Sequence, residues 1–270
     1  MKARRKILQD ACPKNTKLAL ATNASSILAG RPFLWVDDRH SLIYCEIPKV
    51  GCTNFKRLMY GLTANADITE YKDIGAYEVH YKYQKFLVPL SDFSEFGIKF
   101  RLANYLKVVL VRHPFERLVS AYRNKLEKLS AFSRQIGAYI KPFMRSPGMK
   151  SAPQEGDGIS FAAFVKYINV YSQLSTKPFN PHWRTYNELC NPCDVKYDVI
   201  VRYETIQHDV SMLLKLLRVA EKFKYPDGDM SSVSSAGVWR SYFANVPSSD
   251  LNELKGIYKL DAKLFNYTFN

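Results

Sequence analysis

Two hydrophobic rhythms alternate along this chain. Short continuous apolar runs give way to stretches in which apolar side chains recur every three or four positions, which predicts buried strands that each lead into an amphipathic helix. Leu42-Ile-Tyr-Cys-Glu-Ile47 is the first such run. Phe55, Leu58, Met59 and Leu62 then fall at helical spacing between Thr53 and Leu62, with Thr53 placed to cap the helix start. The unit repeats at Leu106-Lys-Val-Val-Leu-Val111, where Pro114 suits a first helical turn and Phe115, Leu118, Val119, Tyr122, Leu126 and Leu129 share one face of a helix over 115–129. Later segments predict a helix near Phe161 to Tyr171, a strand from Asp198 to Tyr203, and helices near Ile206 to Val219 and Ser249 to Lys259. Alternating strands and helices predict an α/β fold, a central mainly parallel sheet with helices on both faces. Ligands of such sheets bind beyond the carboxyl ends of the strands.

No internal repeat or low-complexity tract breaks this pattern. The stretch from Pro142 to Gly158, rich in Gly, Pro, Ser and charge, predicts a surface loop inside one domain. We expect a stem-like segment over residues 1–30 and a single domain over 31–270.

With 270 residues, 47% of them hydrophobic, the chain can bury a full core, so disorder is set aside. Lys and Arg number 39 against 25 Asp and Glu, a net charge of +14 that favours a polyanionic partner. The basic residues are spread rather than gathered in a tract, and neither zinc-finger spacing nor an aromatic RNA-binding signature occurs, so no nucleic-acid partner is expected. Leu18 to Ala29 is broken by Thr22, Asn23, Ser25 and Ser26 and falls short of the roughly 20 residues of a membrane span. Met1-Lys-Ala-Arg-Arg-Lys lacks a following apolar block and makes a poor signal peptide. The expectation is therefore either a trimmed N-terminal anchor, absent from this chain, or a cytosolic protein. Asn23-Ala-Ser25 and Asn266-Tyr-Thr268 are glycosylation sequons that hint at the secretory route. Cys190-Asn-Pro-Cys193 suits half a zinc site, a redox pair or disulfide partners, but no second pair at matching spacing accompanies it, and no metal is expected.

The chemistry concentrates at two strand ends. After the first strand, Ile47-Pro-Lys-Val-Gly-Cys-Thr-Asn54 places a lysine, a glycine and a hydroxyl where a helix begins, the arrangement an oxyanion needs. The nucleoside triphosphatase pattern GxxxxGK[ST] is absent. A tight basic turn is the plainer reading of these residues alone. At the second strand end Arg112 offers a planar fork for a phosphate, and Ser120 falls on the polar side of the next helix. Glu116 and Arg123 read as members of solvated ion pairs.

Three blocks carry a closer likeness. Ile47-Pro-Lys-Val-Gly-Cys-Thr-Asn-Phe-Lys-Arg57, then Val111-Arg-His-Pro-Phe-Glu-Arg-Leu-Val-Ser-Ala-Tyr-Arg-Asn-Lys125, then His182-Trp183 with Leu189-Cys-Asn-Pro-Cys193 and Tyr197-Asp198, closely resemble the Golgi carbohydrate sulfotransferases that make chondroitin and dermatan 4-sulfate. The resemblance spans roughly Arg4 to Tyr267. It implies a P-loop-like sulfotransferase fold, the donor PAPS, no metal, a chondroitin or dermatan glycosaminoglycan acceptor, and a Golgi-lumen location. Carried over by position, Lys49, Val50, Gly51, Cys52, Thr53 and Asn54 line the 5′-phosphosulfate, and Arg112 and Ser120 contact the 3′-phosphate. Tyr203, in Arg202-Tyr-Glu-Thr205, falls in the adenine-side segment, where an aromatic closing the sheet is an equal reading. The family usually carries Trp where this chain has Phe55, which sits on the apolar helix face and reads as core.

A glycan hydroxyl needs a general base. Of five histidines, His40 and His208 lie in polar surroundings and read as bystanders, and His113 stands where relatives carry an acid. His80 comes first, because sulfotransferases more widely place their base between the two phosphate sites, and His182 second. Lys56, Arg57, Arg123, Lys125, Lys128 and Arg184 are candidates for a basic acceptor surface. The resemblance implies Cys190 in a disulfide, with one cysteine left over from an odd count. Alternatives are a glucuronyl 3-O-sulfotransferase of the same family and an inactive glycosaminoglycan-binding protein.

Overall fold

The structure, a computed structural model, describes residues 1–12, 33–144, 158–226 and 235–269. In chain order the elements are α1 (Lys2–Ala11), β1 (Leu34–Asp37), β2 (Leu42–Cys45), α2 (Cys52–Ala64), α3 (Ile68–Tyr71), α4 (Ala76–Tyr81), β3 (Val88–Pro89), α5 (Glu95–Asn104) and β4 (Leu106–Val111). Then follow α6 (Pro114–Lys125), α7 (Ala131–Ile140), α8 (Phe161–Leu174), α9 (Tyr186–Cys190), α10 (Pro192–Val195), β5 (Val199–Arg202), α11 (Ile206–Leu216), α12 (Ser235–Phe243), α13 (Ser248–Ile257) and α14 (Lys259–Phe265). They form two compact units. The first comprises Met1–Arg112, Tyr186–Asp229 and Lys263–Asn266, and the second His113–Thr185, Met230–Ala262 and Tyr267–Asn270.

The first unit holds the sheet, in the order β3-β1-β2-β4-β5. β2 pairs with β4 and β4 with β5 in parallel, which brings the carboxyl ends of three strands to one edge. β1 and β3 extend the other side antiparallel, an addition to the expected parallel core. All four residues of β2 and five of the six in β4 are buried, as an α/β sheet covered by helices demands. The apolar runs at 42–47, 106–111 and 198–203 all become strands, the first and last trimmed at their ends.

Two disulfides close this unit. Cys12 joins Cys193, and Cys45 joins Cys190. The Cys190/Cys193 pair thus serves two separate bridges rather than one redox couple, and Cys52 is the free, buried cysteine. The first residues of the segment expected as a stem form α1, which Arg4 ties to the carbonyl of Ile200 at 3.0 Å and to the carboxylate of Asp209. Asp209 also accepts from the Arg202 amide at 2.9 Å and the Thr205 hydroxyl at 2.7 Å. Residues 13–32, with the Asn23 sequon and the Leu18 to Ala29 stretch, lie outside the described residues. Asn266 is exposed. Among the described residues no helix is long and apolar enough to cross a membrane.

The second unit packs its own core, with Phe115, Phe161, Phe164, Trp183 and Phe243 among its buried members. Two expectations are corrected here. The helix predicted over 115–129 stops at Lys125, because a new helix is nucleated by Ser130, whose hydroxyl accepts from the Ser133 amide; Leu129 is left 57% exposed. Glu116 is buried rather than part of a solvated pair. Its neighbour Arg117 is buried too, donating to the carbonyls of Arg184 at 2.7 Å and Pro181 at 3.0 Å. Arg123 does form the partly exposed i,i+4 pair, with Glu127 at 3.9 Å. Of the loop expected over 142–158, Pro142 to Met144 belong to a 3-10 turn and residues 145–157 lie outside the described residues.

Candidate functional site

The turn between β2 and α2 is built from unusual backbone. Lys49 has φ 74° and Gly51 φ 91°, with the fully buried Val50 between them. A lysine in the left-handed region is uncommon, and such strain persists only where its surroundings enforce it. Gly51 is required twice over: its φ disfavours any side chain, and a Cβ there would stand 2.8 Å from Ile206 Cδ1 and 2.9 Å from the Tyr225 hydroxyl. Tyr225 donates to the Gly51 carbonyl at 3.1 Å, and its burial raises the phenol far above its ordinary range, so it remains a neutral donor.

Gly51, not Thr53, is the N-cap of α2, and no side chain caps the helix start. The expected capping role of Thr53 fails because the cap falls two residues earlier, at Gly51. The first-turn amides of Cys52, Thr53 and Asn54 precede the first intrahelical donor, Phe55, whose amide bonds the Gly51 carbonyl at 3.1 Å. A left-handed glycine leading into the open end of a 13-residue helix is a ready cradle for an oxyanion. Burial, then the nearby Glu46, raises the Cys52 thiol, which keeps it protonated and unsuited to nucleophilic work. Asn54 donates to the carbonyl of Pro226 at 3.2 Å and accepts from Arg57. Phe55 is fully buried, its ring 4.4 Å from Tyr44, as a core residue should be.

Arg112, the residue after β4, converges on this turn. It is 3% exposed, and its Nη1 lies 3.5 Å from the carbonyl oxygen of Lys49. Its guanidinium carbon stands 4.0 Å over the ring of Tyr203, in the 3-10 turn after β5. Tyr186 fixes the Arg112 backbone from both sides, accepting from its amide at 3.1 Å and donating to its carbonyl at 2.6 Å. The ends of β2, β4 and β5 therefore meet around Lys49, Gly51, Arg112 and Tyr203.

Beside the cradle lies a buried network that sequence reading missed. His80, on α4, approaches the Thr53 hydroxyl through Nε2 at 3.1 Å. Its Nδ1 faces the Lys56 ammonium at 3.3 Å and the Glu46 carboxylate at 3.5 Å. Lys56 and Glu46 pair at 2.7 Å, and the Trp35 indole donates to the same carboxylate at 2.8 Å. Lys56 is only 3% exposed, so it is withdrawn from the acceptor surface for which it was a candidate. A lysine one position from the apolar helix face gives no sign in the sequence that a carboxylate awaits it inside. Ligand atoms of Glu46, Cys52 and His80 lie within 4.8 Å of one another, spacing that suits a metal ion. The Lys56 ammonium already supplies the positive charge to two of those three groups.

The remaining candidates divide between the units. Ser120 is half-buried on α6 in the second unit. His182 is also in the second unit, its Nδ1 2.8 Å from Asn180 Oδ1. His113 bonds the Thr268 carbonyl at 2.7 Å and stacks on Trp239. His40 pairs with Asp37 at 2.6 Å, and the His208 side chain is largely exposed.

A mainly parallel α/β sheet whose strand ends hold a left-handed glycine, a helix N-terminus that no side chain caps and a buried arginine makes an anion-handling site. The profile of the Sulfotransferase family matches residues 32–268, and the chain belongs to that family. Carbohydrate sulfotransferase 11 of Rattus norvegicus is 37% identical over 237 residues, 87% of this chain and 67% of the relative. Carbohydrate sulfotransferase 12 of Mus musculus is 33% identical, covering 98% of this chain and 67% of the relative, and carbohydrate sulfotransferase 8 of Homo sapiens is 31% identical, covering 98% and 62%. No solved structure gives a significant match. The chain is a sulfotransferase enzyme of the carbohydrate-sulfotransferase type.

Proposed function

We propose that the chain transfers the sulfuryl group of PAPS to a glycan hydroxyl in the Golgi lumen, specifically the 4-O of N-acetylgalactosamine in chondroitin or dermatan. The observation that carries the donor half is the convergence of the Lys49–Gly51 turn, the open start of α2 and the Arg112 guanidinium in one unit. The start of α2, which no side chain caps, and the left-handed Gly51 leading into it suit a phosphate-sized oxyanion. When bound, PAPS supplies an activated sulfur that passes in line from phosphate oxygen to acceptor oxygen. Lys49, Val50, Gly51, Cys52, Thr53 and Asn54 are assigned to its 5′-phosphosulfate and Arg112 to its 3′-phosphate; the assignment of Ser120 rests on the resemblance alone. Charge grows on the leaving phosphate oxygen during transfer, and fixed amides with a lysine stabilise that charge more than the ground state.

His80 takes the acceptor proton at Nε2. For that, Nδ1 must carry the ring's other proton, and the Glu46 carboxylate 3.5 Å away is the acceptor in range. The Lys56 ammonium at 3.3 Å from the same nitrogen opposes this tautomer. Glu46 thereby positions the base rather than touching substrate, and Lys56 holds Glu46 through their ion pair. The acceptor choice is supported by the resemblance to the 4-sulfate-forming enzymes and by the carbohydrate-sulfotransferase relatives. Labelled PAPS incubated with desulfated glycans, followed by disaccharide analysis, tests it; label confined to the uronic acid overturns it. The pH–rate profiles of His80→Ala and His182→Ala identify the base. We expect His80→Ala to lose the acidic limb and about 100-fold or more in kcat with donor affinity intact; the same loss in His182→Ala instead would transfer the role.

A further inference from the structure

Helix α4 carries a feature that the donor site does not use. Tyr77, His80 and Tyr81 stand at i, i+3 and i+4 and so share one helix face, while Val79 on the opposite side is buried. From that shared face His80 turns inward to Thr53 and Lys56, whereas Tyr77 and Tyr81 remain 75% and 71% exposed. Their ring centroids are 4.6 Å apart, which makes a paired aromatic surface next to the histidine. The chain just beyond continues it. Tyr83 and Phe86 pack on Tyr60 at 4.8 and 5.1 Å, and the ammonium groups of Lys82 and Lys85 lie over the rings of Tyr83 and Phe86 at 5.5 and 5.4 Å.

We propose that α4 and the turn after it are the acceptor subsite, with the Tyr77–Tyr81 pair taking the face of a pyranose ring and Lys82 and Lys85 an acidic group on a neighbouring sugar. This rests on the reading of His80 as the end of the acceptor's path. A pyranose presents a face of weakly positive C–H groups and a rim of hydroxyls, which matches the negative face and polar tip of tyrosine. Two exposed aromatics kept in water cost apolar hydration unless a ligand covers them. Lys85 favours an anionic chain over an apolar peptide or an uncharged surface, and Lys82, 3.6 Å from Glu78 in an exposed and therefore weak pair, can exchange that partner for the glycan's acidic group. Because the tyrosines lie three residues before and one after His80, a glycan on them presents its hydroxyl at the base.

The test compares wild type with a Tyr77→Ala/Tyr81→Ala variant and a Tyr77→Phe/Tyr81→Phe variant. Binding to immobilised desulfated chondroitin and dermatan is measured without donor, alongside acceptor KM, affinity for the desulfated donor product, and thermal unfolding. The alanine pair should weaken polymer binding and raise acceptor KM about tenfold. The phenylalanine pair should stay within about twofold of wild type, and both should keep the donor-product affinity and unfolding midpoint. An alanine pair with unchanged polymer binding and acceptor KM overturns the platform while leaving the transferase reading intact. Tyrosine-dependent polymer binding by a wild type that transfers no label would keep the platform and defeat the transferase reading. Failure of the wild type both to bind either polymer and to transfer label defeats both.

Discussion

Lys49 is a lysine held where glycine is at home. Its φ of 74° costs about 1–2 kcal/mol relative to a right-handed residue, and the fold carries that cost at the turn proposed to cradle the donor. Lys49→Gly separates strain from chemistry. We predict that its thermal midpoint is not lowered, while turnover falls about 100- to 1000-fold through loss of the cation. Retained turnover would remove Lys49 from the reaction. At this scale the sequence was legible where residue type alone dictates geometry: a glycine before a helix, an arginine at a strand end. It was opaque for Glu46 and Lys56, since the burial of a charged pair depends on what the sheet and α4 place around it.

At the scale of elements, periodicity found β2, α2, β4, α6, β5 and α11, because each is a long apolar run or a sustained helical stripe. It missed β3, whose two residues carry no pattern, and β1, which is no shorter than β2 or β5 but leads into the polar turn Asp37-Asp-Arg-His40 instead of an amphipathic helix. The Lys2–Ala11 helix was likewise hidden, since its only buried side chain is Leu8. Asp209 helps to hold α1 down, beside the Cys12–Cys193 bridge. Burial raises its carboxyl, but hydrogen bonds from Arg4, the Arg202 amide and Thr205 outweigh that and hold it below the ordinary carboxylate range. A depressed folded pKa gives stability that is complete above the unfolded value of about 3.9 and is lost as pH falls through the folded value. Asp209→Asn should therefore destabilise by about 2 kcal/mol at pH 7. That difference should shrink in unfolding curves taken below about pH 4. A pH-independent difference would mean that the charge is not what matters.

For the molecule as a whole, two disulfides spanning 181 and 145 residues meet at one short turn, Cys190 to Cys193. Loops of that length remove much conformational freedom from the unfolded chain, and they anchor α1 and β2 to that turn within the first unit. The net charge of +14 suits an enzyme whose proposed donor and proposed acceptor are both anions. The account's central claim is that the Lys49–Gly51 turn and Arg112 grip one bisphosphate ligand. Calorimetric titration with adenosine 3′,5′-bisphosphate tests it most directly. The wild type should bind one equivalent saturably, and Arg112→Lys, which keeps the charge but loses the planar fork, should bind about tenfold more weakly. No saturable binding by the wild type, or equal binding by the variant, would contradict it.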